Sequence, residues 1–180
     1  MNSIREKYKK EVVPQMKKEF NLSNDLEVPR IKKVVVNVGV GKFLKDSNQI
    51  EDIAKSISTI TGQKPLSTKS KKSIAGFKIR EGLEVGMKVT LRGERMWNFV
   101  EKLVQAALPR VKDFHGLKDS AVDASGNLNI GIKEHLIFPE ILPEEVKNIF
   151  SLEVTIVTDA HDRAKGLTLF KLLGFPMEVK

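Results

Sequence analysis

Apolar residues recur every four positions at the start of the chain, where Ile4, Tyr8, Val12, Met16 and Phe20 share one face of a helix. Pro14 has no amide proton to donate, so the helix kinks there or a second one begins. The period then changes. Residues 30–40, RIKKVVVNVGV, are rich in β-branched side chains and lie between Pro29 and Gly41, which predicts a buried strand. Ile50, Ile53, Ile57 and Ile60 return to helical spacing, with Asp46 and Gln49 placed as a capping pair and Gly62 as the stop. Within residues 84–93, Val85, Met87, Val89 and Leu91 alternate with Gly86, Lys88, Thr90 and Arg92, a strand with one apolar and one polar, basic face. Met96, Phe99, Val100, Leu103, Val104 and Ala107 mark the next helix, ended by Pro109. Residues 127–133 and 151–158 read as strands, and a last helix from about Ala160 to Leu173 stops at Gly174, Phe175 and Pro176.

This order predicts an α+β fold: an antiparallel sheet with a split βαββαβ core, helices packed on one face, and further helices at both termini. The uncovered face of the sheet is then available to a partner. At 180 residues and 41% hydrophobic composition, one domain spanning 1–180 with a real core is expected. A protruding loop is expected at about residues 71–83.

Charge sharpens this picture. Residues 63–80, QKPLSTKSKKSIAGFKIR, carry Lys64, Lys69, Lys71, Lys72, Lys78 and Arg80 and no acid. Residues 64–95 hold nine cations against Glu81, Glu84 and Glu94, so six of the eight net positive charges fall in this stretch. Like-signed charge on flexible arms, with hydroxyls between, suits a polyanion rather than a reaction centre, so the expected partner is nucleic acid. The chain has no cysteine, which excludes disulfides, thiolate metal sites and a cysteine nucleophile. No apolar run approaches the ~18 residues of a membrane span, and residues 1–14 lack an apolar signal core. A soluble intracellular protein with no membrane partner is expected.

Candidate chemistry is sparse. Gly39 and Gly41-Lys42 follow a strand, but Val36 and Phe43 stand where a phosphate loop needs glycine and a hydroxyl, and Leu44 stands where a dinucleotide site needs its third glycine. A glycine turn is the better reading. His115, His135 and His161 lack ligand spacing and are expected to be solvated or locally bonded. No carboxylate pair forms a catalytic constellation, so neither enzyme activity nor a cofactor or metal is expected. Asn37 interrupts an apolar run, where its amide costs burial energy unless it meets a partner. In an antiparallel sheet Asn37, Gln63, Thr90 and Arg92 can share the open face, where amides and hydroxyls among cations suit ribose hydroxyls and base edges. Without paired aromatics on a strand, the target is folded RNA read through grooves and backbone. Trp97 and Phe99 fit the core.

The motifs then converge on a family. Ile57, Ile60-Thr61-Gly62-Gln63, Leu66, Thr68, Ser70-Lys71 and Ser73 carry the resemblance, with KYKKEVVP at 7–14, VPRIKKVVVNVGVG at 28–41, KSIAGFKIREG at 72–82 and KVTLRGERMW at 88–97. ALPRVKDFHGL at 107–117, GIKEHLIFPEI at 131–141 and a closing LLGFP extend it over essentially the whole chain. The sequence closely resembles the bacterial ribosomal large-subunit proteins of the number-five family, which bind 5S rRNA in the central protuberance. The resemblance implies a structural role in translation: binding 5S rRNA through the open sheet, attaching it to 23S rRNA, and working in the cytoplasmic ribosome beside other 5S-associated large-subunit proteins. It matches Asn37, Gln63 and Thr90 to the 5S-binding face, which Lys64, Thr68, Lys69 and Arg92 extend. It implies that the loop carrying Lys71, Lys72, Lys78 and Arg80 reaches P-site tRNA. It also implies that the long connection within residues 109–148 forms an intersubunit bridge with the thirteenth small-subunit protein. The chain departs from the family pattern in AVDASGNL, residues 121–128, where Val122 replaces an aromatic residue and Ser125 an arginine, which puts contacts by that loop in doubt, and at Trp97, where tyrosine is commoner. The competing classes are an RNA-acting enzyme and a general RNA chaperone or annealing protein.

Overall fold

Five strands, β1 (Ile31–Gly39), β2 (Leu66–Lys69), β3 (Glu84–Leu91), β4 (Leu128–Ile132) and β5 (Leu152–Thr158), form an antiparallel sheet in the order β2-β3-β1-β5-β4. The order β2-β3-β1-β5 is that of a split βαββαβ core, and β4 is added outside β5. The helices are α1 (Ile4–Lys7), α2 (Val13–Phe20), α3 (Ser47–Thr61), α4 (Gly93–Lys102) and α5 (Arg163–Leu173). The computed structural model describes residues 3–44, 46–77, 79–146 and 148–178. The α+β class read from the periodicities is the class observed. The chain divides into two compact units.

The first unit comprises Met1–Val34, Leu91–Ile130 and Thr155–Lys180. The four-residue spacing at its start is kept through a π-helical turn, Tyr8–Val12, that joins α1 to α2. Pro14 lies in this continuous helical run directly after the π-helical turn, whose wider ring accommodates the missing amide proton, so the helix passes through it without a break. Ile4, Val12 and Met16 are buried. The Tyr8 hydroxyl donates to the Pro29 carbonyl at 3.0 Å, and its ring tilts against Trp97 at 5.7 Å. Burial, reinforced by the negative Asp159 and opposed by Arg30, pushes the Tyr8 phenol up to about 12. Both Trp97 and Phe99 serve packing, Phe99 being 3% exposed. In α5 the Asp162 carboxylate accepts from the Ala164 amide at 3.2 Å and caps the helix.

The loop before β4 is tied into this unit by its own side chains. Asp123 Oδ1 accepts from the amides of Ser125 and Asn127, both at 2.9 Å, and Asn127 Nδ2 donates to Asp123 Oδ2 at 2.9 Å. Asn127 Oδ1 accepts from the Thr158 amide at 3.0 Å, while the Thr158 hydroxyl donates to the Gly126 carbonyl at 2.8 Å. Gly126 has φ +80°, and a Cβ there would lie 2.7 Å from both Ala160 Cβ and the Asp162 carbonyl oxygen. Only glycine fits.

The second unit comprises Val35–Thr90 and Gly131–Val154. Asp46 caps α3 by accepting from the amides of Asn48 at 3.0 Å and Gln49 at 3.4 Å. The reciprocal half of the expected capping pair is not made, because the Asp46 amide already donates to the Phe43 carbonyl at 3.0 Å. Gly62, with φ +66°, ends the helix as its sequence position predicts. Ile53, Ile57 and Ile60 are buried, as are Val36, Val38, Met87 and Val89 from one face of β1 and β3. His135 is buried, stacked on Phe150 with ring centroids 3.9 Å apart, and its Nδ1 accepts from the Phe150 amide at 3.5 Å. Burial depresses its pKa, the Phe150 hydrogen bond pulling the other way. It is the locally bonded histidine expected, while His115 and His161 are exposed.

Candidate RNA-binding face

Alternation along β1 and β3 builds the site. Val34, Val36 and Val38 are buried, whereas Asn37 and Gly39 are exposed between them. On β3, Met87, Val89 and Leu91 are buried, Lys88 is exposed and Thr90 half-buried. Because adjacent strands turn their buried positions to the same core, Asn37, Lys88 and Thr90 lie on the opposite, open face. The register of β2 against β3 pairs Leu66 with Lys88, Ser67 with Met87, Thr68 with Gly86 and Lys69 with Glu84, with a shift between Thr68 and Lys69. Thr68 thus shares the open face, and its hydroxyl crosses to the space a Gly86 side chain would fill, 2.8 Å from an added Cβ.

Gln63 reaches the same neighbourhood by a turn. The Thr61 hydroxyl donates to the Ile57 carbonyl at 2.7 Å and accepts from the Gln63 amide at 3.3 Å, which fixes the chain beyond the helix stop. The Gln63 carboxamide then donates to the Thr90 carbonyl at 3.5 Å. The Asn37 amide makes no hydrogen bond to another side chain or backbone group among the described residues, so the alternative of internal satisfaction is not what is observed. Arg92 lies one residue beyond the end of β3, exposed and still extended at φ −140° and ψ 166°, directly before α4. The Gly93 turn, at φ +61°, redirects the backbone there.

The segment between β2 and β3 is a hydrogen-bonded hairpin. The Ser70 amide donates to the Leu83 carbonyl at 2.8 Å, the Gly82 amide to the Ser70 carbonyl at 2.9 Å, and Ile74 pairs with Ile79. Lys71, Lys72, Phe77 and Arg80 are exposed on it, Phe77 at 74%. Lys78 lies outside the described residues. Among the described residues none of Lys64, Lys69, Lys71, Lys72, Arg80 or Lys88 forms an ion pair. The cations are therefore held apart from the protein's own acids, which leaves them to an external anion. Lys88 was not among the site residues expected from sequence. The signal was there, since it shares the parity of Thr90 on β3.

Nothing in this arrangement is built for reaction. Among the described residues no group of three or more His, Asp or Glu side chains converges on a metal position, and no helix is long and apolar enough to cross a membrane.

Sequence comparison decides the kinship. The profile of the family described as "Ribosomal protein L5" matches residues 24–80, and that of the C-terminal part of the same ribosomal family matches residues 84–177. The "Large ribosomal subunit protein uL5" of Halothermothrix orenii is 48% identical over 176 residues, covering 98% of both chains. The protein of the same name from Fervidobacterium nodosum is 50% identical over 175 residues, 97% of this chain and 95% of its own. The chain belongs to the ribosomal protein L5 family. Membership makes it a structural, non-enzymatic constituent of the large ribosomal subunit, at work in translation among rRNA and ribosomal proteins. The exposed cations and the uncovered strand face suit an L5-family protein among RNA. In the departing loop, Val122 is 2% exposed, so the side chain standing in the aromatic position is packed into the first unit.

Proposed function

We propose that the open face of the second unit binds 5S rRNA and helps attach it to 23S rRNA, and that the hairpin reaches P-site tRNA. The observation that carries this reading is the coexistence of two kinds of group on one unit. Asn37, Gln63, Thr68 and Thr90 offer amides and hydroxyls at the sheet, and Lys64, Lys69, Lys71, Lys72 and Arg80 offer unpaired charge around it. Phosphate neutralisation supplies affinity and the neutral donors supply selectivity for ribose and base edges. From the sequence, Arg92 is expected among the rRNA-binding residues and Lys78 in the tRNA-facing loop. On the family resemblance we propose that the chain works in the cytoplasmic ribosome, that part of residues 109–148 bridges to the thirteenth small-subunit protein, and that other 5S-associated proteins are its neighbours.

The test is competition binding. Labelled 5S rRNA is titrated with protein in the presence of excess bulk tRNA; selective retention supports the reading, and equal loss to any RNA marks a general annealing protein instead.

A further inference from the structure

A depression of about 500 Å³ opens on the second unit, lined by Asn37, Gly39, Gly131, Lys133, Ser151 and Glu153. Its polar side chains do not satisfy one another: Asn37, Lys133, Ser151 and Glu153 are exposed, and among the described residues none has a side-chain hydrogen bond or ion pair. The two glycines have no conformational reason to be glycine. Gly39 is in β1 and Gly131 in β4, neither has positive φ, and a Cβ added to either would meet no atom within 4 Å. Glycine inside a strand is destabilising relative to a residue with a side chain. Such a position is accounted for where another molecule approaches the backbone.

We propose that this depression seats one nucleotide of the bound RNA against the bare strand backbone of Gly39 and Gly131. Lys133 faces its phosphate. Glu153 cannot lie against phosphate without like-charge repulsion, so it accepts from an N–H or O–H donor of the base edge or ribose. Asn37 and Ser151 donate or accept beside it. An occupant of one sign throughout would leave either Lys133 or Glu153 opposed; a nucleotide, anionic at one end and donor-bearing at the other, meets both. The proposal rests on the reading that this face takes 5S rRNA.

The test compares 5S rRNA affinity and melting temperature for the wild type and for Gly39→Val, Gly131→Val, Glu153→Gln and Lys133→Ala. Each valine variant is expected to bind at least tenfold more weakly with an unchanged or raised melting temperature, since valine favours strand and meets open space. Glu153→Gln should bind several-fold more weakly, and Lys133→Ala should flatten the log–log salt dependence by about 0.7–0.9. If the wild type binds 5S rRNA and the folded valine variants match it, the depression seats no nucleotide while the reading of the face stands. If the wild type itself fails to bind, both fall. Should the valine variants fail to fold, wild-type affinity of Glu153→Gln overturns the proposal. Normal 5S affinity with lost incorporation into large subunits would assign the depression to a protein and overturn it equally.

Discussion

The two polar loops of this chain read alike as sequence and behave as opposites. KSKKSIAGFKIREG, residues 69–82, and KDSAVDASGNL, residues 118–128, are both rich in small, hydroxylated and charged residues. In the second, the side chains are spent on the protein: Asp123 binds the amides of its own turn, Asn127 binds β5, and Gly126 admits a close approach that no Cβ would survive. In the first, the backbone pairs with itself while the Lys71, Lys72 and Arg80 side chains stay in solvent. A loop whose polar groups are internally satisfied is structural; one that orders its backbone and leaves its charges unmet is available to a partner. Substitution should therefore cost stability in one loop and affinity in the other.

The sharpest way to break this comparison is Gly126→Ala. Left-handed backbone costs a non-glycine residue about 1–2 kcal/mol, and forced overlap adds about 1–3 kcal/mol. Denaturant titration should show a loss of about 2–5 kcal/mol, and wild-type stability would mean the turn is not pinned. Next is Asn127→Ala, which strands the Thr158 amide and should destabilise by about 1–3 kcal/mol in the same measurement. Changing both Lys71 and Lys72 to Ala should leave the melting curve in place. It should weaken RNA binding about tenfold at low salt and reduce the log–log salt slope by about 0.7–0.9 for each phosphate no longer neutralised.

The smallest effect separates the loops by pH. Burial raises the Asp123 pKa, but hydrogen bonds from Asn127, Ser125 and Gly126 outweigh it and hold the carboxyl below its ordinary range. A carboxylate with a depressed folded pKa contributes stability that is present above its unfolded value near 3.9 and lost as pH falls through the folded one. Acid unfolding of Asp123→Asn should therefore be shallower than that of the wild type below about pH 4. The hydrogen bonds that order the hairpin run from the Ser70 and Gly82 amides to backbone carbonyls and involve no carboxylate, so its backbone order should not follow this titration; amide exchange at Ser70 and Gly82 reads it directly.

Much of this was legible in advance because local rules and global fold agree. The strand of alternating Val85, Met87, Val89 and Leu91, the Asp46 cap and the Gly62 stop are all found where periodicity and cap chemistry put them. The charge of residues 63–80 and the resemblance to the L5 family pointed to the partner class, rRNA and ribosomal proteins. What the sequence could not carry were relations across the chain. The Gln63–Thr90 hydrogen bond spans 27 positions and depends on β2 and β3 being neighbours. Arg92 keeps the parity of Thr90 and lies one residue beyond the end of β3, directly before the Gly93 turn. Gly39 reads from sequence as part of a glycine turn and Gly131 falls inside the strand expected over residues 127–133; only the sheet order, with β5 between β1 and β4, gives a common depression its walls.

The central claim is that selectivity resides in the neutral donors of the open face and affinity in the hairpin cations. Equilibrium binding of 5S rRNA, with and without excess tRNA, tests it on two double variants, Asn37→Ala with Thr90→Ala and Lys71→Ala with Lys72→Ala. The account predicts that the first retains RNA binding but loses its preference for 5S rRNA, whereas the second binds all RNA more weakly and keeps the preference. If both hold 5S rRNA as tightly and as selectively as the wild type, the binding face lies elsewhere on the chain.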